Sequence, residues 1–316
     1  MKKILVLYFS QSGQLKEVVN SVIGPLQQAS EIELIIKELQ PQSPFPFPWP
    51  FMQFFNTFPE TVYEDAEPLQ PLEMEKSEDF DLIILTYQVW FLSPSLPTTA
   101  FLQSDDAHRL LNGKPVITLI GCRNMWLTAQ EKVKYQLKRL NAHLIDNVVL
   151  IDNAHSAATF ISTPLWVLTG NRGPFLAGLI PPAGIAKGDI QTASRFGKAI
   201  AAELPKREKD DFSPMLEGLQ AVTINEHLIA SEKIAHRSFR IWGKLLRSIG
   251  RPSSRARQVA LAFYIVFLIA LIVTVVPITA ILKILLRPLT KQHSRRQRNY
   301  YAAPSGESTH RMEQFL

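Results

Sequence analysis

The chain has 316 residues, enough for one or two domains, and a formal net charge of +6 that is unevenly spread. Residues 1–205 carry 16 basic against 20 acidic side chains and residues 206–316 carry 18 against 8, so the first part reads as an ordinary domain and the basic character belongs to the tail. The single cysteine, Cys122, excludes an intramolecular disulfide and a multi-cysteine metal site, and the short apolar run after Lys2-Lys3 lacks the pattern of a secretory signal.

Lys3–Phe9 predicts a buried first strand that runs into Ser10-Gln11-Ser12-Gly13-Gln14-Leu15. This loop opens a helix from Leu15 to about Gln27. Hydroxyls and free backbone N–H groups at a helix N-terminus suit a phosphate. The loop has neither the lysine of a nucleotide P-loop nor the three glycines of a dinucleotide loop, which points to the phosphate of a mononucleotide cofactor. Ile32–Lys37 is the second strand. Residues 40–72 break the rhythm with alternating prolines and aromatics, Phe45, Phe47, Trp49 and Phe51 among them. Such a loop packs on something apolar: a substrate pocket, a membrane surface, or the protein's own flank.

Phe80–Thr86 is a third, parallel-type strand, followed by a loop over Tyr87–Pro97 and a helix from Thr98 towards Leu111. Val116–Ile120 is the fourth strand and ends at Gly121-Cys122-Arg123-Asn124; Leu127–Leu140 is an amphipathic helix. Val148–Ile151 is the fifth strand and ends at Asp152-Asn153-Ala154-His155. Residues 156–188 read as irregular, and Asp189–Leu204 as the last helix. Alternation of this kind predicts an α/β domain with a doubly wound, five-stranded parallel sheet over 1–205. Ligands of such sheets bind at the carboxyl ends of the strands, where three loops converge. One offers phosphate donors (Ser10, Ser12, Gly13, Gln14, Leu15), and the others offer flat aromatics and backbone amides (Tyr87, Gln88, Val89, Trp90, Phe91; Gly121, Arg123). Cys122 is either a small buried hydrophobe or a thiolate nucleophile served by His155. His155 is a candidate proton carrier, and Arg123 a candidate for holding an anion. No grouping of His, Asp and Glu has metal-ligand spacing.

Residues 206–257 read as a basic, amphipathic helical linker. Gln258–Leu282 contains no charge, and roughly 20 such residues suffice to cross a bilayer. Basic residues stand on both sides: Arg240, Lys244, Arg247, Arg251, Arg255 and Arg257 before it, and Lys283, Arg287, Lys291, Arg295, Arg296 and Arg298 after it. Charge asymmetry gives no vote on orientation, and a re-entrant insertion bent at Pro277 fits as well as a span. The membrane-inserted segment is taken as 258–286 and the polar remainder, 287–316, as disordered. Attraction to an anionic membrane surface accounts for the basic flanks, so nucleic acid is not an expected partner.

The hydroxyl-rich first loop, the Tyr87–Pro94 loop with Trp90, and Pro181–Ile190 running into Ala193, Phe196 and Gly197 resemble the flavodoxin-like family and its NAD(P)H-dependent reductase branch. The resemblance covers residues 1–205; it implies FMN as cofactor, with NAD(P)H as a candidate second one, and departs from the family at Gln14 and Leu15, where a threonine is usual. With the hydrophobic C-terminal segment, the chain resembles the bacterial dialkylresorcinol condensing enzymes. That resemblance implies an FMN-dependent oxidoreductase of the cell membrane, its 1–205 domain on the cytoplasmic side, aromatising a cyclic diketone with lipid-like chains. An electron carrier without its own organic substrate, and a flavin-free binding protein that keeps the fold, remain the alternatives. A homodimer is left open as a partner.

Overall fold

The computed structural model describes residues 1–75 and 78–316, with side chains left out at 156, 157, 276, 277, 279–291 and 293. The elements run β1 (Lys2–Tyr8), α1 (Gln14–Gln28), β2 (Ile32–Glu38), α2 (Phe51–Asn56), α3 (Phe58–Tyr63), β3 (Leu82–Trp90), β4 (Ser93–Pro94), α4 (Leu96–Leu102), α5 (Asp105–Leu111), β5 (Pro115–Cys122), α6 (Leu127–Arg139), β6 (His143–Ile151), α7 (Ser156–Thr169), α8 (Lys187–Thr192), α9 (Ser194–Glu203), α10 (Glu226–Ile249) and α11 (Arg255–Ala302). Five strands form a parallel sheet in the order β2-β1-β3-β5-β6, and β4 pairs antiparallel with β3 as a sixth. Ile4 faces Leu82 across β1 and β3, and Ile83 faces Val116 across β3 and β5.

The apolar strands are buried on both faces, as a sheet covered by helices on each side requires. Ile4, Val6 and Tyr8 join α1 and α9 in one core layer, while Leu5, Leu7 and Phe9 join α4, α5 and α6 in the other. Strand order reverses between β1 and β3, which makes that crevice the topological switch point. Relabelled in order of the parallel strands, the sequence 2-1-3-4-5 is the flavodoxin-like one.

Several elements depart from expectation. β3 runs on to Trp90 and turns tightly into β4 through Phe91 (φ 46°) and Leu92 (φ 60°), where the sequence reads as a loop. Residues 156–169 are helical despite Pro164, and the proline-rich stretch contains α2 and α3. Residues 206–257 are no free linker. α10 packs its buried face, Ile229, Gly243 and Leu246, onto the domain, and Glu232 accepts from Thr128 N–H (2.5 Å) at the first turn of α6. α11 starts from a Ser254 cap, and buried Arg257 pairs with Glu60 and Asn56. Residues 287–316 are not disordered either. The helix continues to Ala302, and the tail then docks on the sheet edge: Ser305 is fully buried, and Gln220 N–H donates to Ser308 C=O at 2.7 Å. Polar composition did not leave this segment solvated because its polar groups find partners on the domain. The side chains of Pro277, Lys283, Arg287 and Lys291 lie outside the described residues.

Candidate functional site

The switch point is built from the loop after β1. Gly13 is the N-cap of α1 at φ 85° and, having no side chain, bonds none of the first-turn amides itself. A Cβ on Gly13 would meet nothing within 4 Å, so the backbone at this helix start stands open to solvent. The Ser10 hydroxyl accepts from Lys16 N–H (3.2 Å), and Ser12 is half-buried beside it. Amide donors, a hydroxyl and the positive end of a 15-residue helix are the features that suit an anion.

The side chains of Gln14 and Leu15 do not belong to that site. The Gln14 amide turns inward, donating to Ile185 C=O (3.1 Å) and accepting from Ile185 N–H (3.0 Å). Leu15 lies in the core, its Cδ1 3.0 Å from where a Cβ on Gly121 would sit. Gly121 therefore serves close packing between β5 and α1, not ligand approach. Gln14 thus has a structural role: it ties the 183–186 turn to the first loop.

The second loop also differs from expectation. Tyr87 is fully buried, and its hydroxyl donates to Gln130 Oε1 (2.6 Å). Trp90 is half-buried and meets Phe9, Phe45 and Trp49 edge-on, with ring centroids 5.1–6.0 Å apart. Phe91 packs between Phe54 and Phe58, and Val89 borders the core. Gln88 Nε2 is buried without a hydrogen-bond partner, as is the Ser162 hydroxyl on α7.

Of the remaining candidates, Arg123 donates to the Thr159 hydroxyl (2.9 Å) and lies over the Phe160 ring at 4.1 Å. Burial pushes its guanidinium below its ordinary value, an effect opposed by the nearby Asp152 carboxylate. His155 is exposed, and its C=O accepts from Thr159 N–H at the start of α7. Burial, reinforced by Glu232, pushes the Cys122 thiol well up, so a resting thiolate is disfavoured. Native protein at pH 8 is expected to react with a thiol reagent far more slowly than unfolded protein; equal rates would restore Cys122 as a nucleophile.

Asp152 was not anticipated as a site residue. Its carboxylate accepts from Ala154 N–H (3.0 Å) in a tight local turn and from Gly184 N–H (2.9 Å). An aspartate directly after an apolar strand is the signal that marks it. Arg172 completes the closure by donating to Ala183 C=O (3.0 Å). Over this edge lies the proline–aromatic loop, with Gln11 donating to Pro46 C=O (3.0 Å) and Trp49 N–H to Val167 C=O (2.8 Å). Of the three surfaces open to that loop, its first half covers the protein's own flank, while Phe51 and Met52 remain exposed.

No family model and no curated protein matches the chain. Solved structures similar to it are flavoproteins. A flavoprotein from Lactobacillus acidophilus in complex with FMN shares 16% identity over 47% of this chain and 93% of that one, with a TM-score of 0.37. A putative flavoprotein from Bacteroides uniformis shares 16% over 52% and 97%, with a TM-score of 0.38. A flavodoxin, WrbA-like protein from Agrobacterium tumefaciens shares 9% over 66% and 100%, with a TM-score of 0.37. At this level of likeness the fold assignment rests on the strand order and register described above.

Proposed function

We propose that this chain binds FMN at the β1/β3 switch point and works as a flavin-dependent oxidoreductase. The observation that carries the reading is the open, glycine-capped start of α1 at the strand-order reversal, where a flavodoxin-like sheet holds FMN. The fit is good at the phosphate end, where Ser12 and the backbone of 12–14 would hold the group. The unpartnered Gln88 Nε2 and Ser162 hydroxyl offer polar contacts for the rest. FMN, when bound, supplies a two-electron acceptor. The chain's own contribution is a cover over that edge, from Phe45 to Trp49 and from Trp166 to Ile185, and the Arg123 cation beside Asp152. A cation there stabilises an enolate formed from a cyclic diketone, the substrate type implied by the resemblance to dialkylresorcinol condensing enzymes. The apolar cover is consistent with lipid-like chains on that substrate.

Purified full-length protein is expected to show a flavin absorption spectrum, or to gain one on titration with FMN. Ser12→Ala removes one hydrogen bond to a charged group, worth about 1.5–3 kcal/mol, or roughly 10–150-fold in affinity. A colourless full-length protein that binds no added FMN overturns the reading.

A further inference from the structure

Two stretches of α11 fasten it to the α/β domain. Near its start, Tyr264 stacks on Phe58 (4.9 Å between centroids), and both Tyr264 and Phe267 meet Trp242 of α10, at 5.1 and 5.0 Å. Near its end, the Tyr300 hydroxyl donates to Glu131 of α6 (2.8 Å), and Lys233 of α10 lies over the Tyr301 ring at 5.8 Å. Trp242 and Lys233 stand about 14 Å apart along α10. Tyr264 and Tyr301 would stand about 56 Å apart along one straight helix. Two side-chain contacts cannot bridge that difference, so both ends of α11 sit on one side of the domain and a straight rod between them is excluded. The tail confirms the return: beyond Ala302, Ser305 and Ser308 bond to β6 and to the segment before α10.

The outward faces are apolar and basic. One helix, Arg255–Val275, is long and apolar enough to cross a membrane, and its Phe263, Val266 and Val273 are 67–71% exposed. On α10, Ile234, Ile241 and Leu245 form an exposed stripe one helical face wide, flanked by exposed Lys233, Arg237 and Lys244. An apolar stripe with lysine and arginine along its border matches the surface of an anionic bilayer.

We propose that α10 and the apolar part of α11 dock one-sidedly on an anionic bilayer: the apolar segment enters and leaves through the same face, and the α/β domain and the C-terminal tail stay together on that side. The inference is independent of the flavin, and its test reads no activity.

In a Cys122→Ser background, Lys209→Cys reports the domain and Glu313→Cys reports the tail, both at exposed positions. Full-length protein is diluted from detergent onto preformed sealed vesicles of phosphatidylcholine and phosphatidylglycerol, floated, and treated with a membrane-impermeant maleimide. Both positions are expected to react completely without opening the vesicles. Protection of position 313 until detergent is added shows a true span and overturns the proposal, as does failure to float. Ile241→Glu with Leu245→Glu is expected to reduce flotation at least tenfold; unchanged flotation removes α10 from the docking surface.

Discussion

Replacing Gly197 by alanine is expected to destabilise the domain by about 3 kcal/mol, the upper end of what overpacking usually costs. Gly197 lies in α9 where that helix crosses α1, and a Cβ there would sit 1.8 Å from the Val22 carbonyl oxygen and 3.3 Å from Pro25 Cδ. Neither is a flexible side-chain tip, so the two helices must separate. α1 is also the helix whose first turn forms the anion site, and its displacement is expected to weaken FMN binding together with stability. Gly24→Ala is the matched control. It lies inside α1, its Cβ would meet nothing within 4 Å beyond its chain neighbours, and the gain from a better helix former is opposed by the Pro25 ring that follows, so the stability is expected to change by less than about 1 kcal/mol. Thermal melts of the two variants separate the two cases; a Gly197→Ala variant as stable as the parent would mean that the helices do not approach as closely as described.

The strands most legible in the sequence are those with unbroken apolar runs. β1 and β5 are recognisable within two residues because every face of a central parallel strand is buried. β6 reads as beginning at Val148, five residues late, since Asp146 and Asn147 look like loop residues. Both are fully buried, and both find distant partners: Asn147 Oδ1 accepts from the Thr118 hydroxyl (2.9 Å), and Asp146 accepts from residues about 70 and 160 positions on. No local pattern carries that information. The Phe91-Leu92 turn is equally hidden, because two bulky residues at positive φ carry none of the Asn-Gly or Asp-Gly signals of a tight hairpin. At the candidate site the three converging loops were legible from strand order alone. The inward turn of Gln14 was not, since its partner, Ile185, lies 171 residues away and bonds through its backbone.

The same distance argument makes Asp146 the most sensitive polar residue of the fold. Its carboxylate accepts from Met215 N–H (2.7 Å), Leu216 N–H (3.2 Å) and the Ser305 hydroxyl (2.7 Å), and Ser305 in turn accepts from Asn147 N–H (2.7 Å). One side chain thus clamps both the segment leading to α10 and the returning tail. Asp146→Ala leaves three buried donors without an acceptor, at about 1–3 kcal/mol each, and is expected to cost at least about 3 kcal/mol. Release of the tail should show as new proteolytic cleavage within 303–316. Acidification offers a second reading. Burial pushes the Asp146 carboxyl up to about 6, against the pull of its three donors. Between the ordinary carboxylate range and about pH 6 the folded chain therefore holds a proton that the unfolded chain has lost. Stability from this residue rises as pH falls through that window and is lost as pH climbs above it. The stability difference between the parent and Asp146→Asn is accordingly expected to widen from pH 7 to pH 4. A difference that stays constant or narrows would mean that the carboxylate is not buried as described.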